Sequence, residues 1–315
     1  MRYAALATAL RGGGPARPGW RGLLSDTMPY VSNSSLRVIG LLHPGEMGAA
    51  VGRCLADRGH QVLWASQGRG PDTVARAQAA GLTDAGTVAG LASRAGVIVS
   101  VCPPHAALDV AWAVHGFGGL YLDANAISPG TAREIAGMIT GSGGRYVDGG
   151  IIGPPPQQGA GHARLYLSGD DAGEVRDLFA GTPLEPRLAG GAMTAASAVK
   201  MAYAGWTKGT AALLLAVRAL ARAEGVEDVL LAEWEQSQPA LAGRSRGAAR
   251  SATAKGWRWV AEMEEIAATM AADGLPDGFH QAAAEIFRRS PRDQASEASD
   301  KTADRVLSAL TGDSA

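Results

Sequence analysis

Residues 36–67, reading LRVIGLLHPGEMGAAVGRCLADRGHQVLWASQ, constrain the fold more than any other stretch. An aliphatic and β-branched run from Arg37 to Leu42 breaks at His43-Pro44-Gly45. Ala49 to Arg58 then carries apolar residues at three- and four-residue steps until Gly59, and Gln61 to Ala65 is apolar again. Strand, turn, helix and strand in that order open a parallel α/β sheet. If backbone N–H groups at the start of that helix are to meet a pyrophosphate, the turn must be narrow and free to take unusual φ angles. Gly45 and Gly48 meet that demand, while His43 stands where a G-x-G-x-x-G turn has its first glycine. His43, Pro44, Gly45, Glu46, Met47 and Gly48 are therefore candidate dinucleotide contacts, against the plainer reading of a structural αβ turn.

The end of the second strand bears on which dinucleotide fits. A site for NAD usually presents Asp or Glu there to the ribose 2′-hydroxyl. This chain has Ser66-Gln67-Gly68-Arg69 and no following carboxylate until Asp72. Ser66 and Arg69 suit a 2′-phosphate, so NADP(H) is favoured over NAD(H); the alternative is a solvated loop arginine.

A chain of 315 residues, 46% hydrophobic and 19% charged, has enough apolar content for two domains with real cores. Its net charge of −1 gives no electrostatic pull toward nucleic acid or an anionic membrane. The two cysteines, Cys54 and Cys102, have no metal-ligand spacing and suggest a reducing, cytoplasmic setting. Residues 1–35 mix Gly, Pro, Arg and Ser without a sustained period. They read as a disordered extension, with no secretory signal and with Met28 as a plausible natural start.

Beyond the second strand, short helices are expected over Thr73–Gly81 and Val88–Arg94, then a buried strand over Gly96–Val101 that stops at Cys102-Pro103-Pro104. The carboxyl end of such a strand is where ligands sit in open α/β sheets, so Val101, Cys102 and Pro103 form either a cofactor-facing loop or a rigid connector. Helix, strand and loop follow at Ala106–Val114, Leu120–Asp123 and Asp123–Pro129, then a helix over Thr131–Ile139. In that loop Asn125 can donate and accept, or simply form a turn, and Ser128 is a candidate substrate contact. A strand over Arg145–Asp148, a glycine and proline hinge over Gly149–Pro156, a strand over Arg164–Ser168 and a helix over Ala172–Phe179 complete this half.

From about Ala192 strand-like runs stop. Helical segments follow at Ala195–Glu224, Val229–Ser237, Ala254–Asp273 and Pro276–Arg288, and residues from Ser290 read as a fraying tail. The divisions are thus an extension (1–35), an α/β Rossmann domain (36–191), an all-α substrate and dimerisation domain (192–290) and a flexible tail (291–315). In the first long helix Lys200, Tyr203, Thr207 and Lys208 fall on one side among apolar residues. Partial burial would bring Lys200 toward the working pH and suit it to proton exchange with a hydroxyl; the alternative is a lysine that snorkels to solvent. Trp257, Trp259 and Glu262, Glu264, Glu265 read as one packed and one solvated helix face rather than a substrate wall.

Together the segments HPGEMG (43–48), SVCPP (100–104), DANAISP (123–129), DGGIIGPPP (148–156) and SAVKMAYAGWTKG (197–209) resemble the β-hydroxyacid dehydrogenase and 6-phosphogluconate dehydrogenase superfamily. EWEQSQPAL (233–241) and KGWRWVAEMEEIAATM (255–270) extend the likeness to a branch whose helical C-terminal domain has no assigned function, and it spans Leu36 to Arg289. The resemblance implies a Rossmann domain followed by helices, with homodimers whose helical domains close each other's sites. It also implies a loop at Val101–Pro103 against the nicotinamide, Asn125 on substrate, and Lys200 as general acid or base. Two departures stand out: the usual asparagine four residues after the lysine is Ala204, and the serine-glycine-glycine loop is Ile152-Gly153-Pro154. The substrate pocket of Ser128, Ile152, Gly153 and Tyr203 is therefore expected to take a less polar or differently charged ligand, with Lys208 meeting an anionic group.

The function expected is NADP-dependent hydride transfer on a C–OH/C=O pair of a small molecule, with Lys200 and Asn125 as the catalytic pair and no metal. The alternatives are reduction of a C=N bond and a catalytically silent NADP-binding protein.

Overall fold

The computed structural model describes residues 36–312 apart from 160–162, 294 and 296; the expected extension at 1–35 lies outside the described residues. Strands β1 (Val38–Leu42), β2 (Gln61–Trp64), β3 (Thr83–Asp84), β4 (Val97–Ser100), β5 (Leu120–Asp123), β6 (Arg145–Ile152), β7 (Ala163–Ser168) and β8 (Leu184–Leu188) form one sheet in the order β3-β2-β1-β4-β5-β6-β7-β8. The strands from β3 across to β6 run parallel, β7 runs antiparallel to β6, and β8 runs parallel to β7. Strand order reverses direction at β1, between β2 and β4, and the crevice at such a reversal is where open α/β sheets take ligands.

Helices α1 (Glu46–Asp57), α2 (Pro71–Ala79), α3 (Val88–Ala92), α4 (Ala107–Trp112), α5 (Pro129–Gly141) and α6 (Ala172–Phe179) connect the strands. Val97 to Val99 and Leu120 to Leu122 are buried on both faces, which explains their unbroken apolar runs. The helical half consists of α7 (Ala195–Ala223), α8 (Glu227–Ser237), α9 (Ala240–Ala272), α10 (Gly278–Arg289) and α11 (Asp300–Thr311).

Three expectations give way here. The stretch Gly149–Ile152 is not a hinge but the second half of β6, and only at Gly153, with φ of +129°, does the chain turn. A Cβ at Gly150 would lie 2.8 Å from the Ala196 carbonyl oxygen and 3.0 Å from Lys200 Cβ, so the glycine lets α7 lie directly on the strand. Helix α9 begins at Ala240 rather than Ala254, because packing of Ala248, Ala249 and Ala252 outweighs the poor propensity of Gly243, Ser245 and Gly247. The fraying tail is in fact α11: the Ser299 hydroxyl accepts from the Thr302 N–H, and Ala303, Val306 and Leu307 are fully buried against the helical core. Strands β3 and β8 had no expectation; one is two residues long and the other contains Pro186.

Two polar ties fasten the helical half to the sheet. Asp148 of β6 accepts from the Ser197 N–H (2.7 Å) and hydroxyl (2.5 Å), while Ser168 of β7 accepts from the Ala196 N–H at 2.9 Å, so the start of α7 is pinned to adjacent strands. Glu265 of α9 accepts from the Ser128 N–H at 2.6 Å and the Thr131 hydroxyl at 3.0 Å, capping α5 from across the junction.

Candidate active site

The turn between β1 and α1 takes the shape a phosphate site needs. His43 is left-handed, with φ of +70°, and its carbonyl accepts from the Gly45 N–H at 2.8 Å. Holding a non-glycine residue there costs on the order of 1 kcal/mol, a strain that tends to sit at functional corners. A Cβ at Gly48 would sit 2.3 Å from the His43 oxygen, so only glycine lets α1 start that close to the turn. In front of Gly45 the same test meets nothing within 4 Å, leaving open space at the helix N-terminus. A narrow turn, a glycine-demanding approach and an open approach to free N–H groups together fit a dinucleotide pyrophosphate.

Around this turn, Pro44 offers its carbonyl to Arg76 Nε at 3.4 Å, and Met47, in the first turn of α1, packs against the core. Exposed Glu46 pairs with Arg258 of α9 at 3.2 Å, so its side chain faces the helical domain. Burial, with Arg69 adding to it, pushes the His43 imidazole down to about 4, so the ring is neutral at neutral pH. Beyond β2, Arg69 is exposed and forms no ion pair among the described residues. Ser66 has a neighbour the local sequence concealed: Asp84 of β3, in register with Trp64, whose carboxyl is held below its ordinary value by the Ser66 hydroxyl and the Gly86 N–H. A carboxylate therefore does stand at the end of β2, brought by strand pairing from 20 residues beyond Trp64.

At the ends of β4 and β5 the geometry revises the role expected of Asn125. Its side chain is 2% exposed, its Oδ1 accepts from the Cys102 N–H at 2.6 Å, and its Nδ2 donates to Ser100 Oγ at 3.0 Å. Both ends of the amide are thus used to lock the Val101–Pro103 loop onto the sheet, and Asn125 positions that loop rather than presenting a free amide. Cys102 is chemically quiet, its thiol pushed up to about 12 by burial and by Asp123. Asp123 is itself fully buried, and burial raises its carboxyl to about 7 against the Asn125 N–H that it accepts at 3.0 Å. Burial also raises Asp148, opposed by Ser197 and Ser168. Ser128, expected on substrate, is the N-cap of α5, its hydroxyl accepting from Thr131 N–H at 3.1 Å.

Across from this loop α7 brings in the amines. Lys200 Nζ donates to the Ile151 carbonyl at 3.0 Å, at the carboxyl edge of β6, and lies 3.4 Å from Glu262 Oε1. Lys208, two turns on, binds Glu262 Oε2 and lies 5.3 Å from the centre of the Trp259 ring. One buried carboxylate thus bridges two lysines. Burial works against the charge of Glu262, but Lys200 and Lys208 outweigh it and hold its carboxyl below the ordinary value. Burial brings the Lys208 amine down to about 8 despite the opposing pull of Glu262. The expected free anion-binding Lys208 is accordingly a paired one. Ala204 lies buried between the two lysines; an asparagine side chain has no counterpart there. Ile152 is buried at 3%, Gly153 is exposed in the turn, and Tyr203 is 46% exposed on α7.

Glu262, expected on a solvated face, is buried between the two lysines. Its signal was nonetheless present, since Trp259, Glu262, Met263 and Ile266 follow core-facing helical spacing, and a carboxylate on an apolar stripe needs a partner. A cavity of about 500 Å³ lined by Arg145, Gly169, Asp171, Gly190 and Gly191 lies elsewhere, at the start of β6. It is remote from the chemistry, and its arginine is bound by Asp171 and Glu174. Among the described residues no His, Cys, Asp and Glu cluster could hold a metal.

Residues 36–178 match the NAD binding domain of 6-phosphogluconate dehydrogenase, and residues 221–290 match a domain of unknown function, DUF1932. Among solved structures, the chain is similar to a conserved protein of unknown function described as structurally similar to 3-hydroxyacid dehydrogenases. They are 26% identical over 80% of this chain and 97% of that one, with a TM-score of 0.60. The 3-hydroxyisobutyrate dehydrogenase of Mycobacterium tuberculosis shares the fold at 17% identity and a TM-score of 0.63, over 88% of this chain and 99% of its own. A reductive aminase from Aspergillus terreus, solved with NADPH and ethyl levulinate, shares it at 20% identity and 0.53, over 88% and 99%. No curated protein sequence matches.

Proposed function

We propose that this chain, whose residues 36–178 match the NAD binding domain of 6-phosphogluconate dehydrogenase and whose residues 221–290 match a domain of unknown function, is an NADP-dependent oxidoreductase acting on a C–OH/C=O pair. The observation that carries this reading is the amine of Lys200, delivered by the helical half to Ile151 at the same sheet edge as the glycine turn. When bound, the nicotinamide supplies or accepts the hydride. The turn at His43–Gly48 would hold the pyrophosphate, and Asn125 keeps the Val101–Pro103 loop rigid beside it. Lys200 gives its proton to the substrate oxygen in reduction and takes it back in oxidation, while Glu262 holds the amine in place.

The preference for NADP(H) rests on Arg69, whose charge has no carboxylate partner among the described residues; the Ser66 hydroxyl is held by Asp84 and does not add to it. A homodimer is supported by an exposed apolar stripe along α7, comprising Tyr203, Trp206, Leu213 and Leu220. No helix among the described residues is long and apolar enough to cross a membrane; a cytoplasmic setting would keep the free cysteines Cys54 and Cys102 reduced.

The test is Lys200→Ala assayed with ketones, hydroxyacids and cyclic imines by NADPH absorbance, alongside NADPH titration. Turnover should fall by a factor of about 100 to 10,000 with NADPH affinity nearly unchanged. Equal loss of both assigns Lys200 a folding role. Turnover on cyclic imines alone makes the protein a C=N reductase, the chemistry of one fold neighbour. Tight NADPH binding without any turnover makes it a silent binder.

A further inference from the structure

His43 does more than shape the turn. Its ring is half-buried, forms no hydrogen bond among the described residues, and stands close enough to Arg69 for the guanidinium to disfavour its protonation. A left-handed corner where glycine is the usual choice has been given an imidazole, and that imidazole feels the charge of Arg69 in the loop after β2. The other charged groups around it are accounted for. Arg76 of α2 reaches over the turn to the Pro44 carbonyl, and its Nη2 donates to Thr73 Oγ1 at 3.1 Å. Glu46, at the start of α1, is drawn away by Arg258 of α9. From the β4 side the turn meets apolar Val101. The result is two arginines and an unpartnered imidazole around one corner; the carboxylate at the end of β2, Asp84, is already held by the Ser66 hydroxyl and the Gly86 N–H, so the arginines' charge is left for an arriving anion.

We propose that His43 is a specificity-determining residue that donates an N–H to the ribose 2′-phosphate of the cofactor and takes up a proton from solvent as that phosphate binds. This rests on the NADP reading above. In the free protein Arg69 and burial keep the ring neutral; a phosphate dianion between His43 and Arg69 reverses the sign of the local field and favours imidazolium. An opposite charge at contact raises such a group by about one to three pH units. From about 4, a rise to between roughly 6 and 6.5 makes binding strengthen roughly four- to tenfold as pH falls from about 8 to 5.5.

Calorimetric titration with 2′,5′-ADP and with 5′-ADP tests this without any assay of turnover. Each ligand is titrated at several pH values into the wild-type protein, His43→Gly and His43→Asn, in buffers of differing ionisation enthalpy so that protons taken up are counted. Glycine and asparagine both accept the left-handed backbone, so both variants keep the turn. Wild type should take up protons with 2′,5′-ADP but not with 5′-ADP. His43→Gly should lose the uptake and the extra pH dependence, leaving only what the phosphate's own titration contributes. His43→Asn should bind like wild type near pH 8 but without the gain at lower pH. If 2′,5′-ADP outcompetes 5′-ADP yet all three proteins share one pH dependence and one proton count, the role of His43 is overturned while NADP preference survives. If the two ligands bind wild type equally well at every pH, the NADP preference itself falls and His43 with it.

Discussion

Buried charge at single residues sets the chemistry available at the sheet edge. Glu262 is the clearest case: alone in that position a carboxylate would be prohibitively desolvated, and Lys200 and Lys208 together keep it ionised. Asp123 is the opposite case, with one oxygen on the Asn125 N–H and the other without a partner. Its carboxyl ionises near 3.8 when unfolded and about 7 when folded, so between those values the folded chain holds the extra proton. Its contribution to stability is complete below the lower value and is lost as pH rises through the upper one. Asp123→Asn keeps the acceptor for Asn125 and abolishes the titration. Thermal melts should show wild type losing on the order of 5 °C relative to the variant between about pH 4 and pH 8. A pH-independent difference between the two would contradict this account of Asp123.

At the scale of elements, the contact that matters most is α7 on β6, because it carries Lys200. Gly150 makes that contact possible, and Gly150→Ala would force a methyl into the Ala196 carbonyl. The expected cost is about 1–3 kcal/mol in urea unfolding, with turnover falling more than cofactor affinity because the amine is displaced and the glycine turn is not. Unchanged urea midpoints would mean that α7 sits more loosely than its register implies. The same contact explains why Gly149-Gly150 was legible as glycine-rich but not as strand. Local sequence favours a hinge there, and only the helix laid across it shows what the missing side chains are for. Helix α11 was misread for a different reason. Ala303, Val306, Leu307 and Leu310 have helical spacing, but among Asp and Ser they carry too little apolar surface to declare a helix until α7 and α9 bury them.

For the molecule as a whole, the apolar stripe on α7 is the feature that a lone chain leaves unexplained. Trp206 is 70% and Leu220 63% exposed on the helix that also carries Lys200 and Lys208, so covering the stripe would couple assembly to the site. Replacing both with glutamate should convert a two-chain sedimentation profile to a one-chain profile while far-ultraviolet circular dichroism is retained. An unaltered profile would dismiss α7 as the assembly surface. The sequence by itself determined the order of strands and helices as far as Phe179, the two-residue β3 apart, the passage to helices only and the glycine turn. Each of these is written in local periodicity, in backbone demands or in a chain of neighbouring residues. What only the tertiary structure decided is where distant residues meet: Asp84 beside Ser66, Glu265 on the cap of α5, Asn125 spent on its own loop, and Glu262 between two lysines 54 and 62 positions before it. A carboxylate in a sequence carries no mark of its future dielectric or its partner, since both arise only when strand pairing and helix packing remove water from around it.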